Sequence, residues 1–166
     1  MKKILFLAVL MLPVLCFSQI KNSGCYLRMI QPANNDLIFE NDSIKISFYF
    51  NSMNYFCNLK FENKTPNIIA VDWDKFIMVM EGESHSIIFG DTQMINKDKP
   101  KEQSPIAPGS SIKKEIAPVD YIELSMPLYI KRFVKKQGGQ EIGYIIPISY
   151  SGTLRYYNCK ISVSMQ

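Results

Sequence analysis

The sequence predicts an all-β chain, a single antiparallel two-sheet sandwich of about eight or nine strands behind a removable N-terminal segment. Three observations predict it. Apolar residues recur at every second position through most of the chain, the spacing of strands with one buried face. Clusters of Asn, Ser, Gly and Pro interrupt these runs at short intervals, as turns do. No stretch of ten or more residues carries a convincing helical period.

The N-terminal segment comes first. Lys2 and Lys3 precede Ile4–Leu15, an uncharged apolar run of 12 residues, and Cys16-Phe17-Ser18 places small residues at −3 and −1 of a cut before Gln19. That is the build of a secretory signal peptide over residues 1–18. The run is well short of the roughly 20 apolar residues that span a bilayer, so no transmembrane helix is expected in the mature chain. A lipid anchor is the alternative: Cys25 follows Ser23-Gly24, as an acylated cysteine would, although Lys21 and Asn22 separate it from the apolar run. Soluble export to the periplasm or the medium is the expectation, and an outer-membrane lipoprotein is the alternative.

Cleavage of 18 residues from 166 leaves 148, enough for one domain over residues 19–166 with its own core. "SIKISFYF" sets Ile44, Ile46, Phe48 and Phe50 on one face. "YFCNLKFEN" does the same with Tyr55, Cys57, Leu59 and Phe61. Asn51-Ser52-Met53-Asn54 turns the chain between them. "IIAVDW" reads as a strand that points Ile69, Val71 and Trp73 inward and Asp72 and Asp74 the other way. "FIMVM" and "SHSIIF" flank a hairpin closed at Glu81-Gly82-Glu83. Residues 90–111, with three prolines and few apolar residues, read as a long surface loop with a short edge strand. "SIKKEIAP", "YIELSM", "PLYIKRFV" and "IGYIIPISY" follow as strands, the last two joined by a basic Gly-Gly hairpin loop. "SGT" then turns into "LRYYNCKISVSM". The spacing matches an immunoglobulin-like sandwich.

Charge and cysteine usage narrow the function. The mature chain carries 17 basic and 15 acidic residues, too balanced for a nucleic-acid partner. Cys25, Cys57 and Cys159 are odd in number, so they are either small core residues or one disulfide, in any of three pairings, with a thiol left over. Asp72 and Asp74 beside the only tryptophan offer too few oxygens for calcium; Trp73 reads as a core anchor and Asp74 as the opening of a turn. His85 is the only histidine, and its neighbours Ser84 and Ser86 point to the opposite strand face, so they cannot be its nucleophile. The cysteines lie 32 and 102 residues apart and lack zinc spacing. No cofactor, metal or catalytic group is expected. Lys131, Lys135 and Lys136 with Tyr129 and Tyr144 form the one candidate interaction surface, suited to an anionic glycan or another envelope partner.

Asn63-x-Thr65, Ile69-x-Val71-x-Trp73-Asp74, the Gly82 hairpin, Ile106-x-Pro108-Gly109-Ser110 and Ile116-x-Pro118 occur in this order. The pattern, over residues 44–165, resembles small exported or lipid-anchored β-sandwich proteins of the Bacteroidota. The resemblance implies the sandwich fold and an envelope location. It brings no catalytic residue, because the pattern contains none. The expected function is a non-enzymatic cell-envelope or interaction module, with a glycan-binding module as the alternative.

Overall fold

The computed structural model describes residues 20–34 and 36–165, and the expected signal peptide lies outside them. Among the described residues thirteen strands form one curled, antiparallel sheet, so the chain is all-β but has more strands than the eight or nine expected. Four short strands open it: β1 (Ile20–Asn22), β2 (Cys25–Gln31), β3 (Ala33–Asn34) and β4 (Ile38–Glu40). β1, β3 and β4 were not legible because two or three residues are too few to display an alternation. Then come β5 (Ile44–Phe50), β6 (Cys57–Asn63), β7 (Ile69–Val71), β8 (Ile77–Met80) and β9 (Glu83–Phe89). The loop over 90–111 holds β10 (Ser104–Ile106), an edge strand paired only with β7, and β11 (Ser111–Pro118) follows it. Two short helices, α1 (Val119–Glu123) and α2 (Lys131–Gln137), precede the long hairpin of β12 (Gln140–Tyr150) and β13 (Thr153–Ser164).

The strands run β1-β2-β13-β12-β8-β9-β11-β6-β5-β4 across the sheet, with β7 beside β12 and β10 outside it. The sheet curls so that β5 and β6 face β12 and β13. Phe48 of β5 packs its ring 4.9 Å from that of Tyr144 on β12, and Phe39 of β4 meets Tyr157 of β13 at 5.2 Å. The predicted alternation is what fills this interior: Ile44, Ile46, Phe48, Cys57, Leu59 and Phe61 are all buried. Apolar burial of this kind stabilises by about 25 cal/mol per Å² removed from water.

Turn chemistry fixes the registers. Glu81 and Gly82 both have positive φ (53° and 87°), the two-residue turn whose twist suits a hairpin, and Met80 pairs with Glu83 across it. In β12, one edge pairs with β8 at residues 142–145 and with β7 at 148–150. Pro147 stands at the fork between them, where its carbonyl accepts the Asp72 N–H (3.0 Å). Its missing N–H faces the same gap, so no ladder bond is lost.

Two expectations need correction. "YIELSM" and "PLYIKRFV" are not strands: α1 lies within 119–123 and α2 within 131–137. Ile130 and Val134 are spaced i, i+4 and begin the turn, with the Val134 N–H bonded to the Ile130 carbonyl (3.0 Å). Gly138, at φ 77°, ends α2 in the left-handed conformation. The segment "IIAVDW" also leaves the sheet early. Trp73–Lys75 forms a 3-10 turn, so the strict alternation stops at Val71.

Candidate functional site: a basic helix face

α2 is short and amphipathic. Val134 is its buried residue, and Lys131, Arg132, Phe133, Lys135 and Lys136 are exposed. At 3.6 residues per turn the four cations fill an arc of about 140° that begins about 60° from Val134, with Phe133 about 60° beyond its far edge. None of the four forms an ion pair among the described residues. Lys45, Lys60, Lys64, Lys75, Lys97, Lys114 and Lys160 each meet a carboxylate, while among the described residues Lys21, Lys99, Lys101 and Lys113 do not. The Arg132 guanidinium lies 5.5 Å from the centre of the Phe133 ring, which is 38% exposed.

The two tyrosines expected to join this surface do not. Tyr129 is 3% exposed and Tyr144 1%, and both belong to the core. Tyr129 immediately precedes Ile130 at the helix start, and its hydroxyl is within 3.0 Å of Asn22 Oδ1 on β1. Tyr144 lies on the inward side of β12, in step with Ile142, Ile146 and Ile148, which is why it is buried. Its hydroxyl lacks a nitrogen or oxygen partner and lies against the Cys57 thiol. Burial pushes both phenols well above their ordinary pKa. The basic loop of the sequence reading is therefore a helix, and its aromatic residue is Phe133.

α2 is held against the start of the chain. Lys131 Nζ reaches the β1–β2 turn, where a Cβ built on Gly24 would stand 3.2 Å from it. Cys25 follows that turn with its side chain in the core, its sulfur 3.8 Å from that of Met165. Burial raises the Cys25 thiol pKa, and the nearby Lys131 partly offsets this. Cys57 and Cys159 are buried as well, and burial pushes each up to about 12. All three cysteines are free, which is the core-residue alternative rather than a bridge.

The remaining chemistry-bearing residues have structural surroundings. Asp72 is 5% exposed rather than turned outward; it takes hydrogen bonds from Lys75 Nζ (2.9 Å) and Gln103 Nε2 (3.2 Å). Asp74 accepts the Lys101 N–H at 2.6 Å, which ties down the 90–111 loop instead of opening a local turn. The Trp73 ring is buried among Phe61, Phe76 and Phe89, and its Nε1 donates to Ser104 Oγ of β10 (2.8 Å). His85 Nδ1 lies 3.0 Å from Asp120 Oδ2, with the Tyr121 ring edge-on. Among the described residues no group of three His, Cys, Asp or Glu is placed to hold a metal ion. No helix among them is long and apolar enough to cross a membrane. A cleft of 470 Å³ lies over Val79, Gly143 and Ile145, and its Glu141 and Lys160 neutralise each other at 3.1 Å.

No family model and no curated protein matches this sequence. Among solved structures, the chain is similar to the crystal structure of a protein from Archaeoglobus fulgidus, at 10% identity and a TM-score of 0.35, over 75% of this chain and 95% of that one.

Proposed function

We propose that this chain is an exported, non-enzymatic binding module of the cell envelope, and that its partner is anionic and meets α2. The observation that carries the reading is the set of four unpaired cations, Lys131, Arg132, Lys135 and Lys136, on one exposed helical face. Four like charges gathered without carboxylate partners on one short helix suit an external counter-charge. The non-enzymatic part is supported by the placement of the thiols, its strongest nucleophiles, in the interior. We read the two facing wings of the sheet as an elaborated immunoglobulin-like sandwich, a scaffold that presents surface elements for recognition.

Export rests on Lys2, Lys3, the apolar run Ile4–Leu15 and the small residues before Gln19. Release after residue 18 is preferred to acylation at Cys25, because that thiol lies in the core behind β1. The alternative, a glycan module, loses the tyrosine platform and keeps the basic face. Intact mass and partition of the native protein test the reading. A product beginning at Gln19, which binds envelope material in a salt-sensitive way, is expected. An acylated Cys25 would sink soluble release, and full-length protein held in the cytosol would sink export.

A further inference from the structure

We infer that the partner of the α2 face is the headgroup plane of an anionic lipid bilayer, an assignment that rests on the anionic-partner reading above. Three observations separate a bilayer from a soluble anionic chain. The face is convex: it is the outer side of a helix packed on the sheet through Val134, and its cations stand on flexible stems. Specific glycan recognition needs a concave site with convergent, fixed hydrogen-bonding groups, whereas a diffuse plane of phosphates needs only charge density.

Phe133 supplies the second observation. It is an exposed large aromatic residue at the edge of the cationic arc, beyond Lys136. Cationic side chains around a partly exposed aromatic ring are the composition of helices that lie in a bilayer interface, where the charges meet headgroups and the ring enters the acyl boundary.

The third is where the chain comes from. β1 begins at Ile20, five residues beyond Leu15, the end of the apolar run. It starts beside α2: Asn22 is bonded to Tyr129, and Gly24 abuts Lys131. β1, which follows the apolar run in sequence, therefore lies on this side of the molecule.

Sedimentation with lipid vesicles tests the assignment, using the purified processed chain and vesicles of phosphatidylcholine alone or mixed with phosphatidylglycerol. Binding is expected to the anionic vesicles only, and to weaken as salt rises. Each cation close to such a surface contributes about fivefold in partition, so Lys131→Glu, Arg132→Glu, Lys135→Glu and Lys136→Glu together should abolish it. The same reversals at Lys99, Lys101 and Lys113 should not. Phe133→Ser should lower vesicle binding several-fold while leaving retention on heparin, a soluble polyanion, unchanged. Should the fourfold variant not fold, Lys135→Gln with Lys136→Gln, at helix positions that bury nothing, reads the same loss at about 25-fold. Retention on heparin through α2 without vesicle binding overturns the bilayer and keeps an anionic partner. Binding to neither overturns both.

Discussion

Trp73 holds together three parts of the molecule that are distant in sequence. Its ring meets Phe61 of β6 edge-on at 5.6 Å, Phe89 of β9 at 5.3 Å and the stacked Phe76 at 5.7 Å, while its N–H fixes Ser104 of β10. Trp73→Ala removes the ring from a site with no means of collapse and is expected to destabilise by about 3–5 kcal/mol in denaturant titration. The inward placement of this residue could be read from the sequence, and its conformation could not. "IIAVDW" keeps an alternating pattern through Trp73, but the chain leaves the sheet at Asp72, whose N–H goes to Pro147 from 75 residues away. The same long-range bond explains why Asp72 turns out buried: its position depends on β12 and on Gln103, neither of which is near it in the chain. Tyr144 shows the other side of this limit. The alternation Ile142, Tyr144, Ile146 placed it on the apolar face of its strand, and only its hydroxyl suggested a surface role.

At the level of elements, strands with one buried face were recovered and short helices were not. β5, β6, β12 and β13 carry period two over enough residues to be distinctive, while β8 and β9 are marked by the Gly82 turn between them. α2 spans only seven residues, too few to express a helical period, and "PLYIKRFV" alternates well enough to pass for a strand. The better signal was the stop: Gly138 follows Lys135 and Lys136, the arrangement favoured at a helix C-terminus, where cations meet the negative end of the dipole. Because Gly138 has φ 77°, Gly138→Ala places a Cβ in a conformation that costs about 1–2 kcal/mol. Thermal melting should fall accordingly. The candidate site was legible in the same divided way. The cations were visible as a cluster in sequence, and the aromatic beside them was misassigned, since Tyr129 precedes the helix and faces inward while Phe133 lies on its exposed side.

The whole molecule is a single sheet curled around one interior, and its thiols sit in that interior on opposite wings. Cys57 belongs to β6 and Cys159 to β13, and Tyr144 feels both. Burial raises each thiol from 9.0 to about 12. The folded protein therefore keeps these protons where the unfolded chain has released them. Their stabilising effect is complete below about pH 9 and is lost as pH rises from there toward about 12. Within that window each thiol lowers unfolding free energy by about 1.4 kcal/mol per pH unit. Urea midpoints measured at rising alkaline pH should fall steeply, and Cys57→Ala with Cys159→Ala should flatten the slope, leaving the part due to the buried tyrosines. A slope unchanged in that double variant would show that the thiols do not titrate with unfolding. The all-β expectation holds, and the sheet curls into two facing wings. The sandwich expectation did not capture their union into one sheet through β9 and β11, because those pairings join segments that carry no mark of each other in sequence.

β13 lies between β2 and β12, pairing Ser162 with Arg28 on one side and with Glu141 on the other. The strand made last is thus the one that joins the first part of the chain to the rest. Leu27 pairs with Ile20 of β1 and Met29 with Asn34 of β3 on one side of β2, but its other side has no native partner until Ile161 and Val163 have been synthesised. Until then β2 is joined only to the short strands β1 and β3. Deleting β13 should therefore release β2 from the rest of the sheet, although β2 is made before every other long strand.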